Sequence, residues 1–262
     1  MNRRSLLGLL LGAALLTGSA GCGSHDDSAS QGSASASKPM LTVSAAASLK
    51  QAFTTYGKQF QGASARFSFA GSDVLAAQIE QGVKPDVYAA ANTKLPQQLF
   101  AKGLVEKPTV FAANRLVLAV AADAAKVASL ADVAKPGVTV AVGSPSVPVG
   151  AYTRAVLDEL PTATSKAILG NVRSEEPDVA GIVGKLTQGA VDAGFVYISD
   201  VRVTDGKLKA IELPADLQPS VAYGIAVVKG AKHPREAKAF IDGLLSGTGQ
   251  QALQSAGFEP AP

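Results

Sequence analysis

The sequence contains few of the residues that build metal centres, disulfides and most enzyme active sites. Its 262 residues include one cysteine, Cys22, two histidines, His25 and His233, and no tryptophan. A single cysteine excludes an internal disulfide and a thiolate metal cluster, and two distant histidines argue against a multi-histidine metal site and a Ser-His-Asp triad. The Gly-x-Ser-x-Gly pattern of α/β-hydrolase nucleophiles is also missing. We therefore predict a protein that is not an enzyme and that has no cofactor or resident metal.

A large excess of charge of either sign is missing as well. There are 24 basic and 21 acidic residues, a net charge of +3, and two of the basic residues, Arg3 and Arg4, lie at the N-terminus. Removal of that end leaves a charge of +1, too little for the basic surface of a nucleic-acid-binding protein. With 47% hydrophobic residues, the chain has enough apolar side chains for a folded core. We predict no nucleic-acid partner.

The start of the chain has the pattern of an export signal. Residues 1–4 are basic, residues 6–16 are almost wholly apolar, and small residues at 18–21 precede Cys22. The apolar run is too short to span a bilayer and is typical of a secretory signal peptide. The junction resembles the lipobox of bacterial lipoproteins, which implies a lipid on Cys22, although Ser19 stands where those proteins usually have leucine. An ordinary signal peptide with an incidental cysteine is the alternative, and the choice between general and twin-arginine export stays open.

The next segment is typical of a flexible tether. Residues 23–38 are rich in serine, glycine and alanine and have no apolar period. With a lipid on Cys22, such a tether would hold a globular body at the outer face of the cell membrane. We therefore predict a signal peptide at residues 1–21, a lipidated Cys22 with a flexible linker at 22–39, and a folded body from residue 40.

Strands alternate with helices along the rest of the chain, which predicts an α/β architecture. Apolar runs rich in β-branched residues predict strands at 41–46, 65–70, 87–91, 115–121, 138–142, 193–197 and 221–228. Helical patterns follow most of them, and two helices are predicted at the end, over 234–245 and 249–256. No repeat of fixed period is visible.

Small and hydroxyl residues stand where several predicted strands pass into helices. Ser48 follows three alanines, Ser72 follows Gly71, and residues 144–150 join a strand to a helix. Helix N-termini present unpaired backbone N–H groups and the positive end of the helix dipole, so several of them together can bind an anion without a charged side chain. The alternative is that Ser48 and Ser72 are N-caps of their helices.

These junctions belong to a longer set of motifs that resembles a known family. The motifs are TVSAAASL (42–49), FAGSDVLAAQI (69–79), PDV (85–87), VGSPSVPVG (142–150), EPDV (176–179) and GFVYISD (194–200). In order and spacing they are similar to the molybdate-binding proteins of bacterial ABC transporters, from about residue 40 to Phe258.

The resemblance implies a two-lobed, periplasmic-binding-protein-like fold. Each lobe would have a mixed, mostly parallel sheet flanked by helices, and the ligand would lie in the cleft between the lobes. One lobe would comprise residues 40–116 and 219–262 and the other residues 117–218, with hinges near 115–118 and 220–223. The implied ligand is molybdate and also tungstate, which the protein would deliver to a membrane permease. We expect a monomer.

The resemblance also implies five ligand residues. Ser48 and Ser72 would bind through hydroxyl and amide groups, Val149 and Val179 through their backbone N–H groups, and Tyr197 through its hydroxyl. Their donors suit a dianion, and discrimination against sulfate would depend on pocket size. A receptor for another tetrahedral oxyanion, such as sulfate, remains the alternative.

Asp73 departs from the family, whose members often have Ser or Thr at this position. A carboxylate facing the cleft would repel an anion, whereas one in the first turn of a helix interacts favourably with the dipole. We therefore expect Asp73 to point away from the ligand.

Overall fold

The structure is a computed structural model and describes residues 38–124 and 126–262. The predicted signal peptide, the lipidation site at Cys22 and the linker up to residue 37 lie outside the described residues. Within the described part, none of the helices combines the length and the apolar character needed to cross a bilayer.

The described residues form ten strands and nine α-helices. The strands are β1 (Met40–Ala46), β2 (Ser64–Ala70), β3 (Val87–Ala90), β4 (Thr109–Asn114), β5 (Leu116–Ala121), β6 (Val140–Gly143), β7 (Val172–Glu176), β8 (Ala193–Tyr197), β9 (Leu208–Glu212) and β10 (Val221–Val227). The helices are α1 (Lys50–Gln59), α2 (Ser72–Glu80), α3 (Lys94–Ala101), α4 (Pro148–Asp158), α5 (Thr162–Gly170), α6 (Val179–Thr187), α7 (Ile198–Arg202), α8 (Pro234–Leu245) and α9 (Gly247–Ser255). A short 3-10 turn, Ala47–Leu49, leads into α1.

The strands assemble into two five-stranded sheets, one in each lobe. The order is β2-β1-β3-β10-β4 in the first lobe and β7-β6-β8-β5-β9 in the second. In the first sheet only β10 runs against the other four strands, and in the second only β5 does. The predicted fold class, two lobes with mixed and mostly parallel sheets flanked by helices, is therefore confirmed.

The two sheets have the same arrangement of strands, although the sequence shows no repeat of fixed period. In each lobe the first parallel strand, β1 or β6, lies between the next two, and the reversed strand pairs with the third. Each reversed strand, β5 or β10, is the first strand after a passage between the lobes. The chain passes from β4 to β5 through Arg115 and returns through residues 213–220 to β10. Leu116, predicted in the first lobe, thus begins a strand of the second sheet.

The edge strands explain most of the differences from the predicted elements. The sequence pattern did not predict β4, β7 and β9, and all three lie at sheet edges. In β7, VRSEE, half-buried and exposed positions alternate and no residue is buried, so an apolar run is missing. The interior strand β5, LVLAVA, has five of its six residues buried. Burial on both faces produces the continuous apolar pattern, and an edge position removes it.

Aromatic packing anchors the helices of the first lobe against its sheet. Phe240 of α8 packs on Phe53 and Tyr56 of α1, with ring centroids 5.7 and 4.7 Å apart. The three rings are buried, and such ring pairs contribute about 0.5–1.5 kcal/mol beyond their buried area. This core fixes the sheet of the first lobe, in which β1 leads into the 3-10 turn Ala47–Leu49 and β2 leads into α2.

Candidate functional site

A cavity lies between the lobes, at the carboxyl ends of strands from both sheets. It is lined by Ala46, Ala47, Ser48, Ala70, Gly71, Ser72, Ala91, Val147, Pro148, Val149, Asp178, Val179 and Tyr197. All five residues predicted to bind the ligand are in this set. Ligands of open α/β sheets bind at this end of the strands, so the cavity is the candidate site.

Helix starts from both lobes point into the cavity. Helix α2 begins after Gly71, α4 after Val147 and α6 after Asp178, and the 3-10 turn Ala47–Leu49 follows β1. The first N–H groups of a helix have no partner within that helix, and the dipole adds a partial positive charge. The site is therefore built from backbone donors.

Ser72 presents a hydroxyl donor to the cavity. It is the first residue of α2, with Gly71 as the N-cap, so the alternative that Ser72 is an N-cap is wrong. Its Oγ accepts a hydrogen bond from the N–H of Ala91 at 3.1 Å, which leaves the hydroxyl proton for a ligand. Its carbonyl accepts from the hydroxyl of Tyr88 at 2.8 Å. Ser72 is only 1% exposed, so these contacts hold it rigidly.

Ser48 lies at the carboxyl end of the neighbouring parallel strand, β1. It lies in the 3-10 turn Ala47–Leu49, whose N-cap is Ala46, so Ser48 is not an N-cap either. Its Oγ lies 2.9 Å from the hydroxyl oxygen of Tyr223. Sequence reasoning placed Tyr223 only at a hinge and missed this contact, because nothing along the chain links two residues 175 positions apart.

Val149 and Val179 bring backbone N–H groups of the second lobe to the cavity. Val149 follows Pro148, the first residue of α4, and proline at this position sacrifices no helical hydrogen bond. Gly150 allows α4 to start close to the preceding turn, since a Cβ there would collide with the carbonyl oxygen of Ser144. Val179 is the first residue of α6, and the Asp178 side chain caps that helix by accepting from Gly181 N at 3.1 Å. The Asp178 carboxylate is thereby directed to its own helix.

Tyr197 supplies the third hydroxyl. It ends β8, is 1% exposed, and its hydroxyl oxygen has no hydrogen-bond partner among the described residues. Its ring packs edge-on against Tyr152 and Tyr223, with centroids 6.5 and 5.9 Å away. Burial, with smaller contributions from Tyr223, Tyr152 and Asp200, raises the pKa of Tyr197 well above its ordinary value. The group therefore stays protonated and can act as a donor.

The cavity is neutral apart from one carboxylate. Among its lining residues no lysine, arginine or histidine occurs, and Asp178 is the acidic one. Behind Tyr197, Asp200 accepts from the Tyr197 N–H at 3.0 Å. Burial raises the pKa of Asp200 to about 7, and the charge of Asp178 adds to the rise while the Tyr197 N–H opposes it. In the described ranges no group of three or more His, Cys, Asp or Glu side chains could hold a metal ion.

Asp73 lies outside the lining of the cavity. Its Oδ1 is nevertheless buried and has no hydrogen-bond partner among the described residues. Oδ1 is thus shielded from water although Asp73 is not among the lining residues, and that Asp73 points away from the ligand stays a prediction.

Gly71 also lines the cavity, although the sequence pattern indicated it only as the residue between a strand and Ser72. A Cβ at this position would collide with the carbonyl oxygen of Pro177 and lie 3.3 Å from Val147 Cγ1, and both of these residues belong to the second lobe. Only glycine lets the start of α2 approach the other lobe this closely.

Two sheets linked by two passages, with helix starts from both lobes meeting around a small cavity, define a two-lobed binding protein of the periplasmic-binding-protein class. The chain belongs to the family of bacterial extracellular solute-binding proteins, whose sequence profile matches residues 41–259. The prediction of a binding protein rather than an enzyme is therefore confirmed.

Individual relatives agree with this assignment. The chain is 36% identical over 255 residues to the molybdate-binding protein ModA of Mycobacterium tuberculosis, which covers 95% of each chain. It is 31% identical to the putative ABC transporter substrate-binding lipoprotein YvgL of Bacillus subtilis, over 91% of this chain and 92% of that one. The Azotobacter vinelandii periplasmic molybdate-binding protein shares the fold, with a TM-score of 0.77 over 85% of this chain and 100% of that chain at 21% identity. The predicted resemblance is thus confirmed.

Proposed function

We propose that this protein captures molybdate, and also tungstate, outside the cell membrane and delivers it to the permease of an ABC transporter. The observation that carries the proposal is the cavity itself, in which helix N-termini and the hydroxyls of Ser48, Ser72 and Tyr197 meet and no lysine or arginine is among the lining residues. The relatives described as molybdate-binding support the same ligand.

The chemistry of the donors favours a fully deprotonated oxyanion. Molybdate, tungstate and sulfate are dianions that need donors on every oxygen, whereas a protonated phosphate also needs an acceptor. The one carboxylate of the lining, Asp178, accepts from Gly181 N through Oδ1 and so caps its own helix. Fixed N–H and O–H dipoles replace the hydration shell of an anion at low reorganisation cost. Pocket size then has to separate molybdate from the smaller sulfate.

We assign the ligand contacts to both lobes. Ser48 and Ser72 bind through hydroxyl and amide groups from the first lobe, and Val149, Val179 and Tyr197 bind from the second. Because only the closed form makes both sets of contacts, the ligand stabilises closure.

We further propose the two lobes that the sequence predicts, residues 40–116 with 219–262 and residues 117–218, except that Leu116, the first residue of β5, belongs to the second lobe. Sheet membership supports passages between them at Arg115 and at 213–220. Export by a signal peptide at 1–21 and a lipid on Cys22 would anchor the protein, as a monomer, at the outer face of the membrane. The lipoprotein description of the Bacillus subtilis relative supports the anchor.

Calorimetric titration of the mature protein tests the ligand. We expect one molybdate or tungstate per chain. In a separate unfolding experiment, ligand at 100 times Kd should raise the unfolding free energy by about 2.7 kcal/mol. Sulfate and phosphate at equal concentration should have little effect. Stronger stabilisation by sulfate than by molybdate would replace the proposal by the sulfate-receptor alternative. Tryptophan fluorescence cannot report binding, because the chain has no tryptophan.

A further inference from the structure

A row of buried polar side chains lies directly behind Ser48. The Ser48 Oγ is 2.9 Å from the Tyr223 hydroxyl, and the amide nitrogen of Asn114 lies 3.4 Å from that hydroxyl and 2.8 Å from the Ser199 Oγ. All four residues are at most 9% exposed. Of the four, only Ser48 lines the cavity, so the other three do not touch a ligand there directly.

The direction of the hydrogen bonds in this row follows from Asn114. Its Oδ1 accepts from the backbone N–H of Arg115 at 2.9 Å, which turns the Nδ2 group toward Tyr223 and Ser199. An amide nitrogen can only donate, so the Tyr223 oxygen accepts from Asn114. Among the described residues, the Ser48 Oγ is then the one hydrogen-bond partner that can accept the Tyr223 proton. Burial raises the pKa of Tyr223 well above its ordinary value, which keeps that proton in place.

The consequence for Ser48 is that its own proton points away from Tyr223. With a lone pair occupied by the Tyr223 proton, the hydroxyl of Ser48 is directed as a donor toward the cavity. The opposite direction would turn Ser48 lone pairs toward a bound dianion. That direction needs an acceptor at the end of the row, and Asn114 Nδ2 is not one.

We propose that Tyr223 and Asn114 are positioning residues that orient the Ser48 hydroxyl as a donor to the bound oxyanion. The proposal rests on the proposed function of the cavity. The row also crosses between the lobes. Asn114 is the last residue of β4, beside the first passage, and Ser199 lies in α7 of the second lobe, two residues beyond Tyr197. The same amide therefore connects the segments that carry two ligand hydroxyls from different lobes.

A double-mutant cycle by calorimetric titration with molybdate tests this role. Tyr223→Phe removes one hydroxyl and keeps the ring packed on Phe258, 5.2 Å away. We expect affinity to fall about tenfold, which corresponds to about 1.4 kcal/mol. In a Ser48→Ala background the same change should alter affinity less than twofold, because the group that Tyr223 orients is gone.

Tyr56→Phe is the matched control. The Tyr56 hydroxyl is also buried, and it donates to the Phe240 carbonyl at 3.1 Å within the core of α1 and α8. This variant should lose stability and keep its molybdate affinity within twofold. Asn114→Asp is a second probe, because a carboxylate can accept from Tyr223 and reverse the row. We expect an affinity loss at least as large as for Tyr223→Phe, and if Asn114→Asp fails to fold, the Tyr223→Phe cycle alone decides.

The outcomes separate the positioning role from the function. Unchanged affinity in Tyr223→Phe, or an equal loss with and without the Ser48 hydroxyl, overturns the positioning role while leaving molybdate binding intact. A wild-type protein that binds neither molybdate nor another tetrahedral oxyanion overturns the function and the positioning role together.

Discussion

The carboxylate of Asp86 accepts two hydrogen bonds from Thr42, one from the backbone N–H at 2.7 Å and one from the hydroxyl at 2.8 Å. Asp192 makes the same two contacts with Thr139 in the second lobe, at the same two distances. Each aspartate immediately precedes the third parallel strand of its sheet, and each threonine lies in or just before the first. In both lobes the same aspartate–threonine contact thus joins the amino ends of two central strands. These ends lie at the edge of the sheet away from the cavity, which is at the carboxyl ends.

Asp86→Asn should make the protein less stable and change its response to acid. Burial opposes ionisation of Asp86, but hydrogen bonds from Thr42 and His233 outweigh it and lower its pKa. Loss of these charged hydrogen bonds should cost about 2 kcal/mol at pH 7. Because the pKa is lowered on folding, this stabilisation exists above the pKa of the unfolded chain, about 4, and is lost as pH falls further.

Denaturant unfolding at pH 7 and pH 3 measures both effects of this variant. Asp242→Asn is the control, because Asp242 forms an exposed ion pair with Lys238 and should change stability by less than about 0.5 kcal/mol. Equal losses for Asp86→Asn at the two pH values would contradict the linkage.

Asp200→Asn should raise the unfolding free energy at neutral pH, whereas Asp86→Asn should lower it. The pKa of Asp200 is raised by burial to about 7, so the folded state holds a proton that the unfolded chain releases near pH 4. The stability of the wild-type protein therefore falls between pH 4 and pH 7. The variant keeps an acceptor for the Tyr197 N–H and should be more stable at pH 8, by at most about 4 kcal/mol.

The difference between Asp200→Asn and wild type should disappear below about pH 4, where both states of the wild-type protein are protonated. Thermal unfolding from pH 3.5 to pH 8 follows it, and Asp216→Asn, an exposed position, serves as the control. A variant less stable than wild type at pH 8 would be incompatible with a buried acid of raised pKa.

Tyr197→Phe should weaken molybdate binding without weakening the fold. The hydroxyl it removes has no partner among the described residues, so unfolding free energy should stay within about 0.5 kcal/mol or rise. A hydrogen bond to a charged acceptor is worth about 1.5–3 kcal/mol, and affinity should fall by at least about tenfold. Calorimetry and chemical denaturation on one sample check both values. Unaltered affinity would remove Tyr197 from the site.

Ser72→Ala should weaken both binding and the fold. It removes the hydroxyl that we propose as a ligand donor and also the acceptor of the Ala91 N–H, and a buried donor left unpaired costs about 1–3 kcal/mol. Thr204→Val is the control, since it removes a buried hydroxyl bonded to the Val201 carbonyl and should cost stability while affinity is kept. Equal affinities for Ser72→Ala and wild type, measured by calorimetry, would limit Ser72 to a structural role.

Gly71→Ala should impair closure of the lobes. The added methyl group would collide with the Pro177 carbonyl oxygen, so the closed form must open slightly and molybdate affinity should fall at least about tenfold. Gly184→Ala is the control, because its nearest neighbour would be 4.0 Å away and alanine in a helix is favourable by about 0.8–1 kcal/mol. Affinity is read by calorimetry, and no loss for Gly71→Ala would mean that the approach to Pro177 is dispensable.

The interior strands of the two sheets could be predicted from the sequence, whereas the edge strands β4, β7 and β9 could not. Burial on both faces gives β1, β3, β5 and β8 apolar runs that a pattern detects. The edge strands β7 and β9 pair on one side only, and β4 has a single bridge, Ala113 to Glu259, on its outer side. All three mix polar with apolar residues. For the site, residues at strand ends could be named, since each junction is local. Tyr223 and Asn114 could not, because their contacts with Ser48 and Ser199 join distant segments.

The sequence by itself determined that interior strands pass into helices at the junctions around the site and that serine and tyrosine hydroxyls stand at these points, because these features depend on neighbours along the chain. Only the tertiary structure decided that four helix starts meet in one cavity and that Tyr223 lies behind Ser48. Both follow from the order of strands in the sheets, which brings the returning strand β10 beside β3 in the first lobe. Strand order is set by packing between segments far apart in sequence, and no local pattern of residues specifies it.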